Sequence, residues 1–182
     1  MARLPLVDPQ DGPLDAVAAL QAIAGERGQA FNVYRMLANS PRTLERVYAL
    51  SSYLWNESSL PPRLQELVIL RVALLKQSDY EWAKHRNVSR RVGVPEEQVA
   101  ALARWREHPD RFDAVEQAAL ALTEEATQHV EASAEAVARV RALIGEAATL
   151  ELVVLIGFYG MVAVLLRSLA VDADPGDELL PR

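Results

Sequence analysis

Fifteen consecutive apolar residues, Leu152 to Leu166 (LVVLIGFYGMVAVLL), lie between Glu151 and Arg167. A helix that spans a bilayer needs about 20 such residues. A stretch of this length and composition instead reads as a helix buried on most sides, which needs a large apolar surround. The rest of the chain must therefore supply helices that cover it.

The remaining pattern is helical throughout. Ala and Leu dominate, β-branched runs are short, and no alternating strand pattern is sustained. Helices are expected from Leu14 to Ala24, started by Pro13, and from Ala30 to Ala38. Ser40-Pro41 opens a third that runs to about Trp55, and Pro61-Pro62 a fourth over Arg63 to Lys76. Ser78 caps a fifth that ends near Val92-Gly93, Pro95 starts a short one through Arg104, and Asp113 to His129 forms another. Ser133 caps a segment that Gly145 ends, and a long helix over Ala147 to Ala170 closes the chain. The expectation is a single all-α domain over residues 1–170 with a loose tail at 171–182. Glu66-Leu-Val-Ile-Leu is echoed 85 residues later by Glu151-Leu-Val-Val-Leu, which suggests two similar helical halves.

Composition removes several functions. The chain of 182 residues has 19 Lys and Arg against 25 Asp and Glu, a formal charge of −6. That balance argues against nucleic acid as a partner, because neutralising phosphates needs a basic surface. There is no cysteine, hence no disulfide, thiolate nucleophile or Cys-type metal site. MARLPLVDPQDG at the start holds no apolar run of signal-peptide length, so a cytoplasmic protein without membrane association is expected.

Chemistry-bearing residues concentrate between Glu66 and Ser89. At 100° per residue, Ser78, Glu81, Trp82, His85, Ser89 and Val92 share one face of the helix from Ser78. Asp79, Tyr80, Ala83, Lys84, Arg86 and Asn87 fall on the other, which reads as the wet face. Glu81 and His85 thus point with Trp82 toward the interior. The preceding helix, apolar nearly all round, adds Glu66 and Arg71. Burial beside a carboxylate is what tunes an imidazole for proton transfer, a device worth ~10²–10⁴ in rate. Structural readings stand beside this one. Ser78 and Glu81 could form a capping box, Glu66 could pair with Arg71, and His85 could be a satisfied core histidine. Two carboxylates and one imidazole could also hold a metal, although only one buried His is on offer.

The stretch Pro61 to Leu102, PPRLQELVILRVALLKQSDYEWAKHRNVSRRVGVPEEQVAAL, resembles the carboxymuconolactone decarboxylase and alkylhydroperoxidase D-like family. One branch of that family carries a Glu, twelve residues on a Cys-x-x-Cys, and a His four beyond. Glu66, Ser78, Glu81 and His85 stand at those spacings, with both cysteines replaced. The resemblance therefore implies the cysteine-free branch, whose decarboxylases act on a lactone acid. It also implies a duplicated all-α fold and assembly into homodimers, trimers or hexamers, which would cover the most apolar helices.

Both lines lead to one expectation: acid/base chemistry without a cofactor on a small organic acid or lactone. His85 would transfer the proton, Glu66 and Glu81 would orient it or share its proton, and Ser78 would add a hydroxyl hydrogen bond. Trp82, Arg71 and Tyr80 would bind substrate, Arg71 through a carboxylate. The alternative is a non-catalytic oligomeric or ligand-binding protein in which the same residues form a buried structural network.

Overall fold

The computed structural model describes residues 2–174 and 177–181. Its axis is a helix, α4 (Pro62–Lys76), in which every residue from 64 to 73 is buried. A segment apolar all round can be stable only if neighbours cover every side. Four elements do so. The helices α5 (Asp79–Arg91), α7 (Ala114–His129) and α8 (Ala134–Ser168) pack along α4, and a 3-10 turn over Leu102–Glu107 closes one end. Around this axis lie α1 (Leu14–Arg27), α2 (Asn32–Leu37), α3 (Pro41–Asn56), α6 (Glu96–Ala101) and a second 3-10 turn at Pro109–Arg111. No strand occurs among the described residues.

The core has two parts, one on each side of α4. The larger joins α1, α2, α3, α4, α7 and α8 through Leu20, Leu44, Leu54, Ile69, Leu122, Leu152 and Leu155. The smaller joins α4, α5, α6 and α7 through Leu67, Leu70, Trp82, Leu102, Trp105 and Phe112. The apolar stretch Leu152 to Leu166 is the inner half of α8. Leu152, Leu155, Ile156, Phe158, Tyr159, Val162 and Leu166 are buried. The helix is long and apolar enough to cross a membrane by length and composition alone. Its outer face carries exposed Leu150, Val153, Met161 and Val164.

Local signals explain the element ends. Gln77 adopts a left-handed conformation (φ 53°) and ends α4, with the Ser78 amide donating to the Ala73 carbonyl at 2.9 Å. This reversal lays α5 back along α4. Gly145, at φ 82° and ψ 175°, interrupts α8 where a stop was expected. Asp113 and Glu116 form a true capping box at α7, and Ser133 caps α8 by accepting from the Ala136 amide.

Three expectations need correction. Ser78 and Glu81 form no capping box, since the Ser78 side chain accepts no hydrogen bond at the start of α5. The supposed wet face of α5 is partly buried, with Tyr80 5% and Arg86 6% exposed. The Tyr80 hydroxyl accepts from the Val33 amide, and Arg86 pairs with Glu96, so α2 and α6 flank α5 on that side. The tail is not loose where it is described. Lys84 pairs with Asp174 at 2.7 Å and Asp177 at 2.8 Å, Arg90 pairs with Glu178 at 2.7 Å, and Val171 is buried in the larger core. An acidic tail has no local signal of order, but it finds the cations of α5.

Candidate active site

His85 and Glu66 meet where α5 lies on α4. The imidazole Nδ1 is 3.0 Å from Glu66 Oε1 and 3.1 Å from Oε2, and Glu66 is 1% exposed. The ring is fixed from two further directions. Tyr159 of α8 meets it edge-on at 4.9 Å between centroids, and Trp55 of α3 lies 5.7 Å away. Trp55 Nε1 in turn donates to the Tyr159 hydroxyl at 2.8 Å. An ionised carboxylate only accepts, so Glu66 selects the tautomer with the proton on Nδ1. The Nε2 lone pair then faces away from Glu66.

Glu81, one turn before His85, is 2% exposed, and neither carboxylate oxygen has a hydrogen-bond partner. Burial pushes its pKa up to about 8, opposed in part by the neighbouring Ser78 hydroxyl. Glu81 is thus a neutral acid at pH 7, able to donate a hydrogen bond or a proton. Burial also raises Tyr159 well above the ordinary phenol value, with the charges of Glu66 and Glu81 adding to it. Burial raises Tyr80 too. Both phenols stay neutral and act as hydrogen-bonding groups rather than bases.

These groups border a cavity of about 650 Å³ between α1, α2, α3, α5 and α8. Its wall includes Glu81, His85 and Tyr80, while Glu66 stands behind the imidazole. Ser78, Arg71 and Trp82 are not on the wall. Ser78 is 1% exposed with no partner for its hydroxyl. Trp82 packs in the smaller core. Arg71 donates to the Leu102 and Ala103 carbonyls and pairs with Glu124 at 2.5 Å, so Glu66 is not its partner. Among the described residues no three His, Asp or Glu side chains converge as metal ligands.

Among the wall residues that escaped the sequence reading are Arg27, Trp55, Phe158 and Tyr159. Trp55 and Phe158 are indistinguishable from core aromatics by periodicity. Tyr159 did carry a signal, because a phenol inside a fifteen-residue apolar run must find a buried partner.

The architecture is that of the alkylhydroperoxidase D-like helical proteins. Residues 41–125 match the carboxymuconolactone decarboxylase family, and the resemblance carried by Pro61 to Leu102 holds. An uncharacterized peroxidase-related protein from Silicibacter sp. TM1040 superposes with a TM-score of 0.81 at 18% identity, over 96% of this chain and 92% of that one. A second peroxidase-related protein, from Ralstonia eutropha JMP134 and described as an alkylhydroperoxidase AhpD core, gives 0.80 at 15% identity, over 96% and 93%. A variant of the debrominase Bmp8 in complex with 2,3,4-tribromopyrrole gives 0.76 at 16% identity, over 96% and 95%. At these identities the likeness is one of fold. No curated protein sequence matches the chain. Peroxide reduction through a cysteine pair is closed to a chain without cysteine.

Proposed function

We propose that the cavity is a cofactor-free acid/base site that decarboxylates a small organic acid or lactone, or moves a proton on it. The observation that carries this reading is the buried Glu66–His85 pair set in a cavity wall one turn from an unpartnered, neutral Glu81. His85 Nε2 accepts a proton from the carbon acid, and the Nδ1–H bond to Glu66 steadies the imidazolium that forms. Glu81 donates a hydrogen bond to the oxygen on which negative charge develops. In a decarboxylation the breaking C–C bond leaves its electron pair on the substrate as an enolate. CO2 departs as that bond breaks, and the enolate carbon then takes a proton from Glu81, which regains one from water.

The test is turnover of a panel of lactone and keto acids by wild type, His85→Ala and Glu66→Gln. A loss of about 10²-fold or more in His85→Ala, with the fold intact, is expected. A loss under about tenfold would sink the assignment and leave a ligand-binding protein whose polar cluster is structural. We propose further that the chain acts in the cytoplasm as a homo-oligomer, with the exposed apolar face of α8 covered by a second copy. The supporting observation is the row of Leu150, Val153, Met161 and Val164 on one exposed side. Light scattering would show a monomer at micromolar concentration if this is wrong.

A further inference from the structure

The cavity holds a cation that the proton chemistry does not use. Arg27, the last residue of α1, reaches the wall opposite α5. Its guanidinium carbon lies 5.8 Å from the centre of the Trp55 ring, the same indole that borders His85 at 5.7 Å. It also lies 5.7 Å from the centre of the Tyr48 ring, and Nε donates to the Tyr48 hydroxyl at 3.4 Å. Tyr48 in turn donates to Glu26. Arg27 has no carboxylate partner among the described residues, whereas the other cations of the wall are accounted for. Lys84 is neutralised by Asp174 and Asp177, and Arg91 is exposed at the rim.

A half-buried guanidinium set beside two aromatic rings, and held by a hydroxyl at Nε, presents its remaining donors in one plane. That plane suits a carboxylate, which it can grip through two parallel bonds. The space between Arg27 and His85 is walled by the rings of Tyr34, Trp55, Phe158 and Tyr159. Its volume falls in the range of small-ligand clefts, with room for one ring and its substituents. A second anionic group would meet Glu66 behind the imidazole and Glu26 at the rim, so the pocket favours a single charge.

We propose that Arg27 anchors the carboxylate of a planar, singly charged ring acid and aims the rest of the ring at His85 and Glu81. This rests on the proton-transfer form of the acid/base reading of the same site, since the anchored carboxylate is not a group to be lost, and it names the substrate class. It also divides the labour along the chain. The proton-transfer groups lie inside the family-matched residues 41–125, whereas the anchor comes from the helix before them.

Calorimetric titration with benzoate and its neutral isostere benzamide tests the proposal on wild type, Arg27→Gln, Arg27→Lys and His85→Gln. Wild type should bind benzoate in the millimolar range or tighter, and benzamide about tenfold or more weakly. Arg27→Gln should lose about tenfold or more in benzoate affinity with benzamide unchanged, and Arg27→Lys should recover part of the loss. His85→Gln should keep benzoate affinity within a few-fold. Equal affinity for the two probes in wild type, no saturable benzoate binding, or full benzoate affinity in Arg27→Gln each overturns the anchor. The wild-type comparison needs no variant, so a substitution that fails to fold leaves it decisive. Arg27-dependent binding without His85-dependent turnover keeps the anchor and discards the acid/base reading; the reverse discards the anchor alone.

Discussion

One nitrogen of His85 is shared between both oxygens of Glu66, at 3.0 and 3.1 Å, across the contact of two consecutive helices. Such a bond fixes the tautomer as well as the position of the ring. Nitrogen-15 NMR should find His85 with its proton on Nδ1 in the wild type. In Glu66→Gln the amide offers both a donor and an acceptor, so the Nε2–H form should gain population. Identical nitrogen shifts in the two proteins would show that Glu66 does not orient the ring.

Glu81 makes stability depend on pH with a definite sign. The unfolded carboxyl ionises near 4.5, but the folded one keeps its proton to about 8. Between those values the native state binds the extra proton, so stability falls as pH rises and levels off above about 8. The full effect is on the order of 5 kcal/mol at most. Glu81→Gln should flatten this part of the profile and melt higher than wild type at pH 8.5. Parallel melting profiles for the two proteins would contradict it.

Arg71 supports the fold, by its contacts, and touches nothing in the cavity. Its partner Glu124 also accepts from Trp105 Nε1 at 2.7 Å and from Arg106 at 2.6 Å. Arg71→Met should cost roughly 2–4 kcal/mol by leaving that carboxylate short of a buried cation. Benzoate affinity should be unchanged. A selective loss of ligand binding at unaltered melting temperature would instead return Arg71 to the site.

The Trp55–Tyr159 bond is the lateral brace of the imidazole. Tyr159→Phe removes the acceptor for Trp55 Nε1 and should lower stability by about 1–3 kcal/mol. A red shift in tryptophan emission should accompany it if the indole is freed. No change in either observable would mean that the bond contributes nothing.

Much of this was legible because the decisive residues are close in sequence. The fold class followed from helical periodicity, which also set Glu66, Glu81 and His85 on two consecutive inward helices; the tie between Glu66 and His85 came from the family resemblance, and a tight reversal at Gln77 brings the two together. The inward face of α5 was right for Glu81, Trp82 and His85, all buried. Inward, however, means two different places. Trp82 turns to the smaller core and His85 to the cavity, and periodicity cannot divide one apolar face between two neighbours. The cavity wall depends on α1, α3 and α8 meeting α5, contacts separated by tens of residues, so Arg27 stayed invisible and the signal of Tyr159 pointed to no particular partner. Arg71 and Arg27 show the same limit: both are arginines in apolar helices, and only packing tells which has a carboxylate beside it.

The ion pairs of Lys84 with Asp174 and Asp177 also govern how the anion site can be studied. A chain trimmed ahead of Asp174 would bare the Lys84 ammonium at the cavity wall as a cation besides Arg27. Anions would then collect there regardless of ring shape, and the loss on substituting Arg27 would be masked. An affinity handle fused to the C-terminus pulls on the same segment. Binding experiments therefore call for the intact tail and a handle at the other end.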